Sequence, residues 1–471
     1  MNTKTFYITT TTPYVNADPH IGFALEIIQA DASARFKRLE GYDVCFNWGT
    51  DEHGLKIYRK ALELKKDPKE YCDIYAERFK KLIPILNLSS TNFIRTTDEY
   101  HIKAAQEFWR TCDKNGDIYK KNYRTKYCVG CELEKTDSEL IDGRCPIHPQ
   151  LEIEIIEEEN YFFRFSKYQR KLLELYEQNP RFVVPEIRFN EIKAFVKQGL
   201  EDFSISRLKK KMPWGIEVPG DPEQVMYVWF DALINYISTI GWPADIKRFE
   251  KWWPVVQVAG KDNLRQQSAI WQAMLMSAGL PPSRQIFIHG FITSEGQRIS
   301  KSLGNVVDPI DLVNRYGVDP LRYYLLREIP AHGDGDYSEK RFKDLYNADL
   351  ANGLGNVVAR IARLAEKVTL LPAPVKKLSN KFKTHLENYR FDEALALIWQ
   401  EIRSLDQYIN DKEPWKISDP QKLTQVLQPT VERVGWIAFH LQPFLPETAE
   451  KILKQFSTDI IKTQPPLFPR L

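Results

Sequence analysis

Apolar positions near the start of the chain change period within forty residues. The run Thr5-Phe6-Tyr7-Ile8-Thr9-Thr10 reads as a strand. After the turn formers Pro13, Asn16 and Asp18-Pro19, the residues Ile21, Leu25, Ile28, Ala32 and Phe36 recur at steps of three and four, one face of a helix. Gly41 closes that helix, and residues 43–48 form the next strand, which delivers Gly49-Thr50-Asp51-Glu52-His53-Gly54 at its C-terminal end. Two helical patterns follow, through Lys65 and from Pro68 to about Asn87. Strand–helix alternation of this kind predicts an α/β fold with a parallel, doubly wound sheet, whose ligands sit at the C-terminal strand ends.

The alternation breaks between residues 113 and 225, where a charged run (152–159) and the basic stretch Arg207-Leu208-Lys209-Lys210-Lys211 suggest an insertion. It resumes with Val225-Met226-Tyr227-Val228-Trp229-Phe230, read as a strand. A strand over 255–259 ends in Gly260-Lys261-Asp262, a helix runs through Ala278, and a strand over 285–289 leads into a loop over 293–305. From about residue 308 the pattern is helical, and 343–368, 391–410, 423–444 and 446–456 make a C-terminal bundle, two of its helices joined by Leu371-Pro372-Ala373-Pro374.

Composition narrows this only modestly. The 471 residues allow two to four domains, and the apolar and charged fractions of 43% and 27% are those of a soluble globular protein. A net charge of +3 means that any nucleic acid must be held by local basic patches. No stretch reaches the ~20 apolar residues of a membrane span, and the start lacks a secretory apolar core, so a cytoplasmic location is expected. Cys45, Cys72 and Cys112 are scattered singly and read as small core residues.

Three sites of chemistry stand out. Cys128-x-x-Cys131, thirteen residues, then Cys145-x-x-His148 places two ligand pairs on tight knuckles and suits one tetrahedral, structural zinc. The strand-to-helix turn at Pro19-His20-Ile21-Gly22 offers free N–H groups and a positive helix end to a nucleotide phosphate, with His20 as donor and Gly22 letting a flat base approach. The loop Gln297-Arg298-Ile299-Ser300-Lys301-Ser302-Leu303-Gly304-Asn305 carries two cations three residues apart, able to clamp a polyphosphate.

Pro19-His20-Ile21-Gly22 resembles the HIGH signature of class I aminoacyl-tRNA synthetases, and Arg298 to Ser302 resembles their KMSKS signature, with Lys301 at its second lysine. The stretches between look like the methionyl-tRNA synthetases: Gly49 to Gly54, Phe93-Ile94-Arg95-Thr96-Thr97, the Cys128 to His148 knuckle, Ser204-Ile205-Ser206-Arg207, Pro213-Trp214-Gly215-Ile216, Tyr227 to Tyr236, Gly260-Lys261-Asp262 and Val318 to Tyr323. The resemblance covers about residues 4 to 460. It implies a Rossmann-type catalytic domain (1–112 and 226–305) split by a zinc-bearing connective insertion (113–225). A stem-contact region (306–342) and a helical anticodon-binding domain (343–471) would follow.

The implied reaction joins an amino acid to ATP, with Mg2+, and passes the acyl group to tRNA. His20, Arg298 and Lys301 would be catalytic. Gly22, Phe23, Gly260, Asp262, Gly290, Ile292, Ser300 and Ser302 would bind ATP. Thr12, Tyr14, Asp51, Trp229, Ala232, Tyr236, Asn263, Gln267 and Trp271 would bind the amino acid, Asp51 taking its ammonium. Asn352, Asn356 and Arg360, spaced as one helix stripe, with Trp415 as a stacking face, would read a CAU anticodon. Without the family, Trp415 reads as a core residue. The chain stops after the bundle, without the extra domain through which some members dimerise, and a monomer is expected.

Some positions depart from the family. Phe23 stands where a second histidine or an asparagine is usual, and Arg298 replaces a lysine. Thr12 and Asn263 replace aliphatic residues and Gln267 a histidine, which puts three polar groups beside a pocket for a thioether. The expected substrate is therefore methionine or, alternatively, a more polar amino acid used by a biosynthetic paralogue. A catalytically decayed tRNA-binding protein is a third reading, motivated by Phe23.

Overall fold

The structure, a computed structural model, describes residues 4–131, 133–299, 304–373 and 377–471. Its centre is a six-stranded parallel sheet built from β1 (Thr5–Thr9), β2 (Asp43–Thr50), β3 (Asn92–Arg95), β4 (Val183–Val184), β5 (Val256–Gly260) and β6 (Gln285–His289). The spatial order is β3-β2-β1-β5-β6-β4, so the chain runs one way from β1 and then restarts on its other side. β1 pairs with β2 from Thr5↔Asp43 to Thr9↔Asn47 and with β5 at Ile8↔Val256. Helix α1 (Ile21–Leu39) follows β1 and α2 (Leu55–Glu63) follows β2.

α1 is buried far beyond the face that the apolar period predicts: Glu26, Gln29 and Asp31 are buried with Ile21, Leu25, Ile28, Ala32 and Phe36. It is covered on one side by the sheet and on the other by the helix Val318–Arg327. Helices buried all round are expected to be apolar, so its charged residues must be paired. Asp31 meets Arg322 at 2.7 Å, both side chains 0% exposed. That guanidinium also donates to the carbonyls of Leu86, Pro443 and Phe444, joining the sheet domain to the bundle.

Residues 113–225 are not one uninterrupted insertion. Ile118–Cys128 and Glu154–Phe163 form a long antiparallel hairpin, flanked by Leu133–Lys135 and Phe203–Ser204. Val183 and Val184 then return to the central sheet as its edge strand, paired with Phe287 and Ile286 of β6. The expected strand over Val225–Phe230 is also corrected. Asp221–Met226 lies in a small antiparallel sheet, and Val228–Ala232 is helical. A short, wholly apolar run fits both elements, and here the Tyr227 carbonyl accepts from Phe230 and Asp231 to start the helix.

The C-terminal helices Phe391–Lys412, Pro420–Leu441 and Pro446–Gln455 match the bundle pattern. Asn380–Glu387 adds a helix that the sequence reading missed. The expected helix over 343–368 is continuous, but Tyr346–Gly355 is wound as a π-helix before Asn356–Ala365. Pro374, the last residue of the expected joining segment, lies outside the described residues.

Candidate functional site

The strand order reverses between β1 and β5, and the crevice beyond their C-terminal ends is where an open α/β sheet binds ligands. His20 caps α1 there, its Nδ1 accepting the Gly22 N–H at 3.0 Å. A neutral imidazole that accepts at Nδ1 carries its hydrogen on Nε2, so the ring is a donor at the positive end of α1. Ile292 faces Gly22, its Cγ2 being 3.6 Å from where a Cβ would stand. At Gly290 a Cβ would fall 2.1 Å from the Gly333 carbonyl oxygen, so only glycine lets these two loops touch. The Asp262 carboxylate lies over Gly260, and Lys261 pairs with Asp334 at 2.6 Å.

Sequence reasoning missed the residue that ties this crevice together. Glu26, buried on α1, accepts from the Thr11 N–H (2.8 Å) and hydroxyl (2.6 Å) on one oxygen. Its other oxygen accepts from the Gly260 N–H (3.1 Å) and His289 Nε2 (3.0 Å). His289 Nδ1 lies 2.8 Å from the Gly290 carbonyl, so both ring nitrogens face acceptors, as an imidazolium requires. Burial alone would lower the His289 pKa, but the Glu26 carboxylate outweighs it and the net direction is upward. The apolar period of α1 runs through Ile21, Leu25 and Ile28 and leaves Glu26 off its face, so the sequence pattern carried no signal for it.

Phe23 is a correction to the expected ATP contacts. Its ring is 8% exposed and packs on Trp48 and Phe79, each with centroids 5.6 Å away. Its side chain belongs to the core, so the substitution for histidine fills space instead of facing the crevice. The expected loop over 293–305 begins as a hairpin, Ile292–Ser294 paired with Gln297–Arg298. Glu295 and Gly296, at φ 51° and 74°, supply the positive angles of a tight hairpin turn. Arg298 is exposed on it, and Asn305 donates to the Arg298 carbonyl at 3.0 Å. Ser300, Lys301 and Ser302 lie outside the described residues.

On the other flank, Tyr14 bridges Asp51 through the backbone, and its hydroxyl donates to the His53 carbonyl at 2.6 Å. The Asp51 loop is fixed by Glu52, whose buried carboxylate takes both Arg95 nitrogens at 2.7 and 2.8 Å. Trp229 is half-buried, while Ala232, Tyr236 and Trp271 are buried; Tyr236 meets Trp271 edge-on at 5.8 Å. Asp231, also missed in the sequence, lies wholly buried 3.1 Å from His53 and 3.8 Å from His101. Burial would raise its pKa, yet the two imidazoles hold the carboxyl below the ordinary range.

Two of the three polar substitutions, Gln267 and Asn263, have protein partners. Gln267 is 2% exposed and donates to the Tyr236 hydroxyl at 2.9 Å, while its oxygen accepts from Gln257 at 2.6 Å. The π-helical turn Gln266–Ile270 turns it inward. Asn263 bonds the Asp262 carboxylate, and Thr12 stays partly exposed. Gln267, the buried one of the three, thus needs no polar substrate to satisfy it.

Cys128, Cys131, Cys145 and His148 converge with all four ligand atoms within 4.8 Å of one another. Cys131 Sγ is 3.5 Å from Cys145 Sγ and 3.2 Å from His148 Nδ1. Tetrahedral zinc, from its bond lengths, sets such pairs ~3.8 and ~3.5 Å apart, so the donor set fits that ion. Gly130 is required: a Cβ there would be 2.5 Å from the His148 ring. Burial would raise the Cys145 pKa, but N–H groups of Ile147 and His148 pull it below the usual value. The knuckle reaches the active-site flank, since Lys56 of α2 donates to the Gly130 carbonyl at 3.3 Å.

A second polar cluster lies in the bundle. Asn352 is exposed at a cleft of about 320 Å³ shared with Arg403, Asp406 and Asn410. Asn356 is exposed, and Arg360 holds Asp406 at 2.6 Å while lying 5.7 Å from the Trp415 ring. Trp415 is 46% exposed, which overturns its reading as a core residue.

Comparison with known proteins agrees with this geometry. The family model described as tRNA synthetases class I (M) matches residues 6–152 and 139–362. The methionine–tRNA ligase of Thermotoga maritima is 44% identical over 96% of the chain and 75% of its own length. That of Synechocystis sp. is 42% identical over 98% of the chain and 92% of its own. The structure of Mycobacterium tuberculosis methionyl-tRNA synthetase with methionyl-adenylate superposes with a TM-score of 0.92 at 37% identity, covering 99% of this chain and 100% of that one. Among the described residues, no helix is long and apolar enough to cross a membrane.

Proposed function

The chain belongs to the methionyl class I aminoacyl-tRNA synthetases, ATP-dependent methionine–tRNA ligases, and on that premise we propose how its own residues carry the reaction. The methionine carboxylate attacks the α-phosphorus of ATP in line, and pyrophosphate leaves. A ribose hydroxyl of the terminal tRNA adenosine then takes the acyl carbon, and AMP leaves. The methionyl-adenylate held by the mycobacterial relative is the product of the first step. Such transfer depends on positioning and charge neutralisation more than on covalent help.

In this reading His20 Nε2 and Lys301 donate to the phosphates as charge moves onto the leaving group, with Arg298 beside them. Asp262 takes the ribose hydroxyls, and the backbone around Gly290 and Ile292 holds the adenine over Gly22. Glu26 keeps Thr11, Gly260 and His289 in register, which fixes the crevice before ATP arrives. Asp51 accepts the methionine ammonium, and Trp229, Ala232, Tyr236 and Trp271 enclose the side chain. Magnesium accompanying ATP supplies further neutralisation of phosphate charge. Cys128, Cys131, Cys145 and His148 would hold one zinc, and four protein ligands leave no open position, so that ion braces the knuckle against α2.

Asn352, Asn356, Arg360 and Trp415 offer amide and guanidinium edges and a stacking plate to the CAU anticodon. One copy of the chain carries both clusters, so the enzyme works as a monomer, which sedimentation at micromolar concentration checks. The observation that carries the reading is that three neighbouring strands, β2, β1 and β5, end at the switch point in the segments that hold Asp51, His20 with Gly22, and Asp262. The test is ATP–pyrophosphate exchange with each amino acid. Methionine alone should drive it, and His20→Ala should lose about 10²- to 10³-fold, the worth of one transition-state donor. Exchange driven equally by a polar amino acid would end this reading.

A further inference from the structure

The segment that steadies the nucleoside side of the crevice lies far from it in sequence. Residues 333–337 follow the helix Val318–Arg327, yet Gly335–Tyr337 pairs in parallel with Ile292–Ser294, Gly335 standing opposite Ile292. The Gly335 N–H donates to the Phe291 carbonyl at 2.9 Å, and the Phe291 N–H donates to Asp334 Oδ1, also at 2.9 Å. Two consecutive residues therefore hold both polar groups of the Phe291 backbone. The same carboxylate takes the residue after β5, where Lys261 Nζ donates to its two oxygens at 2.8 and 2.6 Å. Lys261 also lies 4.4 Å from the centre of the Phe291 ring. Burial would raise the Asp334 pKa, but Lys261 and the Phe291 N–H hold it below the ordinary carboxylate range, so the group is charged at neutral pH.

Asp334 thus ties two strand ends that one nucleoside would meet together. Lys261 stands between Gly260, held by Glu26, and Asp262, while Phe291 stands between Gly290 and Ile292. Among the described residues the β5–β6 ladder ends at Gly260 opposite His289, so sheet pairing sets the spacing of these segments no further. Asp334 supplies the next tie. We propose that Asp334 is a positioning residue for the nucleoside of ATP, one that fixes the span between Asp262, on the ribose, and the adenine wall of Gly290 to Ile292. It acts through Lys261 and the Phe291 backbone. A nucleoside placed on both segments loses affinity when their spacing loosens, and it loses it in the ground state and the transition state alike. The Asp334 side chain is 53% exposed, so the effect is modest. This inference rests on the nucleotide assignment made above.

The test reads ATP–pyrophosphate exchange, with adenosine as a competing inhibitor. Asp334→Ala removes both bonds and should raise the KM for ATP and the inhibition constant of adenosine by one common factor, about three- to tenfold, the worth of a hydrogen bond. The KM for methionine at saturating ATP should move by less than about twofold, because the span does not reach that pocket. Asp334→Asn keeps an oxygen for the Phe291 N–H and should recover part of the loss. Adding Lys261→Met to Asp334→Ala should lose no more than the larger single loss, since both break one tie. Asp262→Ala examines the nucleotide assignment itself and should weaken inhibition by adenosine. If Asp262→Ala leaves that inhibition as in the wild type, the nucleotide assignment fails and the positioning role with it. If Asp262→Ala weakens it and Asp334→Ala does not, the assignment stands and Asp334 has no such role. A rise in the KM for ATP without one for adenosine would place the effect on the phosphates and overturn the inference. Equal rises for ATP and methionine would also overturn it, because they would mark general loosening, and so would losses that multiply in the double variant.

Discussion

Replacing Asp31 by Asn removes one charge from a buried pair while keeping the side-chain volume. Arg322 would then remain wholly buried with three carbonyl acceptors and without its ion-pair partner, Asp319 acting on it only from beyond contact. Breaking such a pair from one side costs roughly 3–5 kcal/mol. The three carbonyls soften the loss, so the lower end, about 3 kcal/mol, is expected, a large share of the roughly 5–15 kcal/mol by which domains are stable. Arg322→Met should cost less, because Asp31 keeps Arg35 at 2.7 Å and Ser89 at 2.6 and 2.7 Å. The double variant should cost less than the sum of the two, since neither charge is then left alone. Thermal unfolding followed by near-UV circular dichroism measures this, and for 471 residues unfolding together Asp31→Asn should lower the midpoint by about 3–4 °C. Burial raises the Asp31 pKa, but Arg322, Arg35 and Ser89 bring it net below the ordinary value. The contribution is therefore complete above about pH 4 and is lost as the pH falls through the depressed value. Single-variant losses under 2 °C, or strict additivity in the double variant, would refute the coupling.

Other consequences can be checked separately. Trp415→Ala should weaken tRNA charging by about 1–3 kcal/mol per lost stacked base and leave tRNA-independent pyrophosphate exchange unchanged. Elemental analysis should find one zinc per chain, and Cys131→Ser should lose it and, through Lys56 on α2, slow adenylate formation. The raised pKa of His289 means that its pair with Glu26 is fully stabilising below about pH 6.5 and is lost as the pH rises through the elevated value. Melting curves across pH 6 to 10 should show that decline in the wild type, and a flatter profile in His289→Gln.

The strands whose ends form the crevice were legible because buried parallel strands read as continuous apolar runs bounded by turn residues. The zinc knuckle was legible from spacing alone. Val183-Val184 was not, because two residues carry no period, and neither was the helix at Val228, where an apolar run fits either element. Trp415 reads as a core residue only when the family resemblance is set aside, because an aromatic on a surface is invisible to a rule that places aromatics inside. The polar residues of the pocket were seen, but their partners were not. Gln257 lies 10 residues from Gln267, and only the fold brings it there.

The edge strand β4 changes what can be cut from this chain. Its two residues come from the stretch that also carries the knuckle, yet they cover β6, whose apolar residues would otherwise sit on an open rim of backbone N–H and C=O groups. Excising the whole stretch to obtain a minimal nucleotide-binding unit would uncover an adhesive border and favour stacking of one copy on the next. Trimming the long hairpin of Ile118–Cys128 and Glu154–Phe163 while sparing Val183 and Val184 would leave that border sealed. The apparent appendage is thus two parts of unequal standing, one dispensable to solubility and one not.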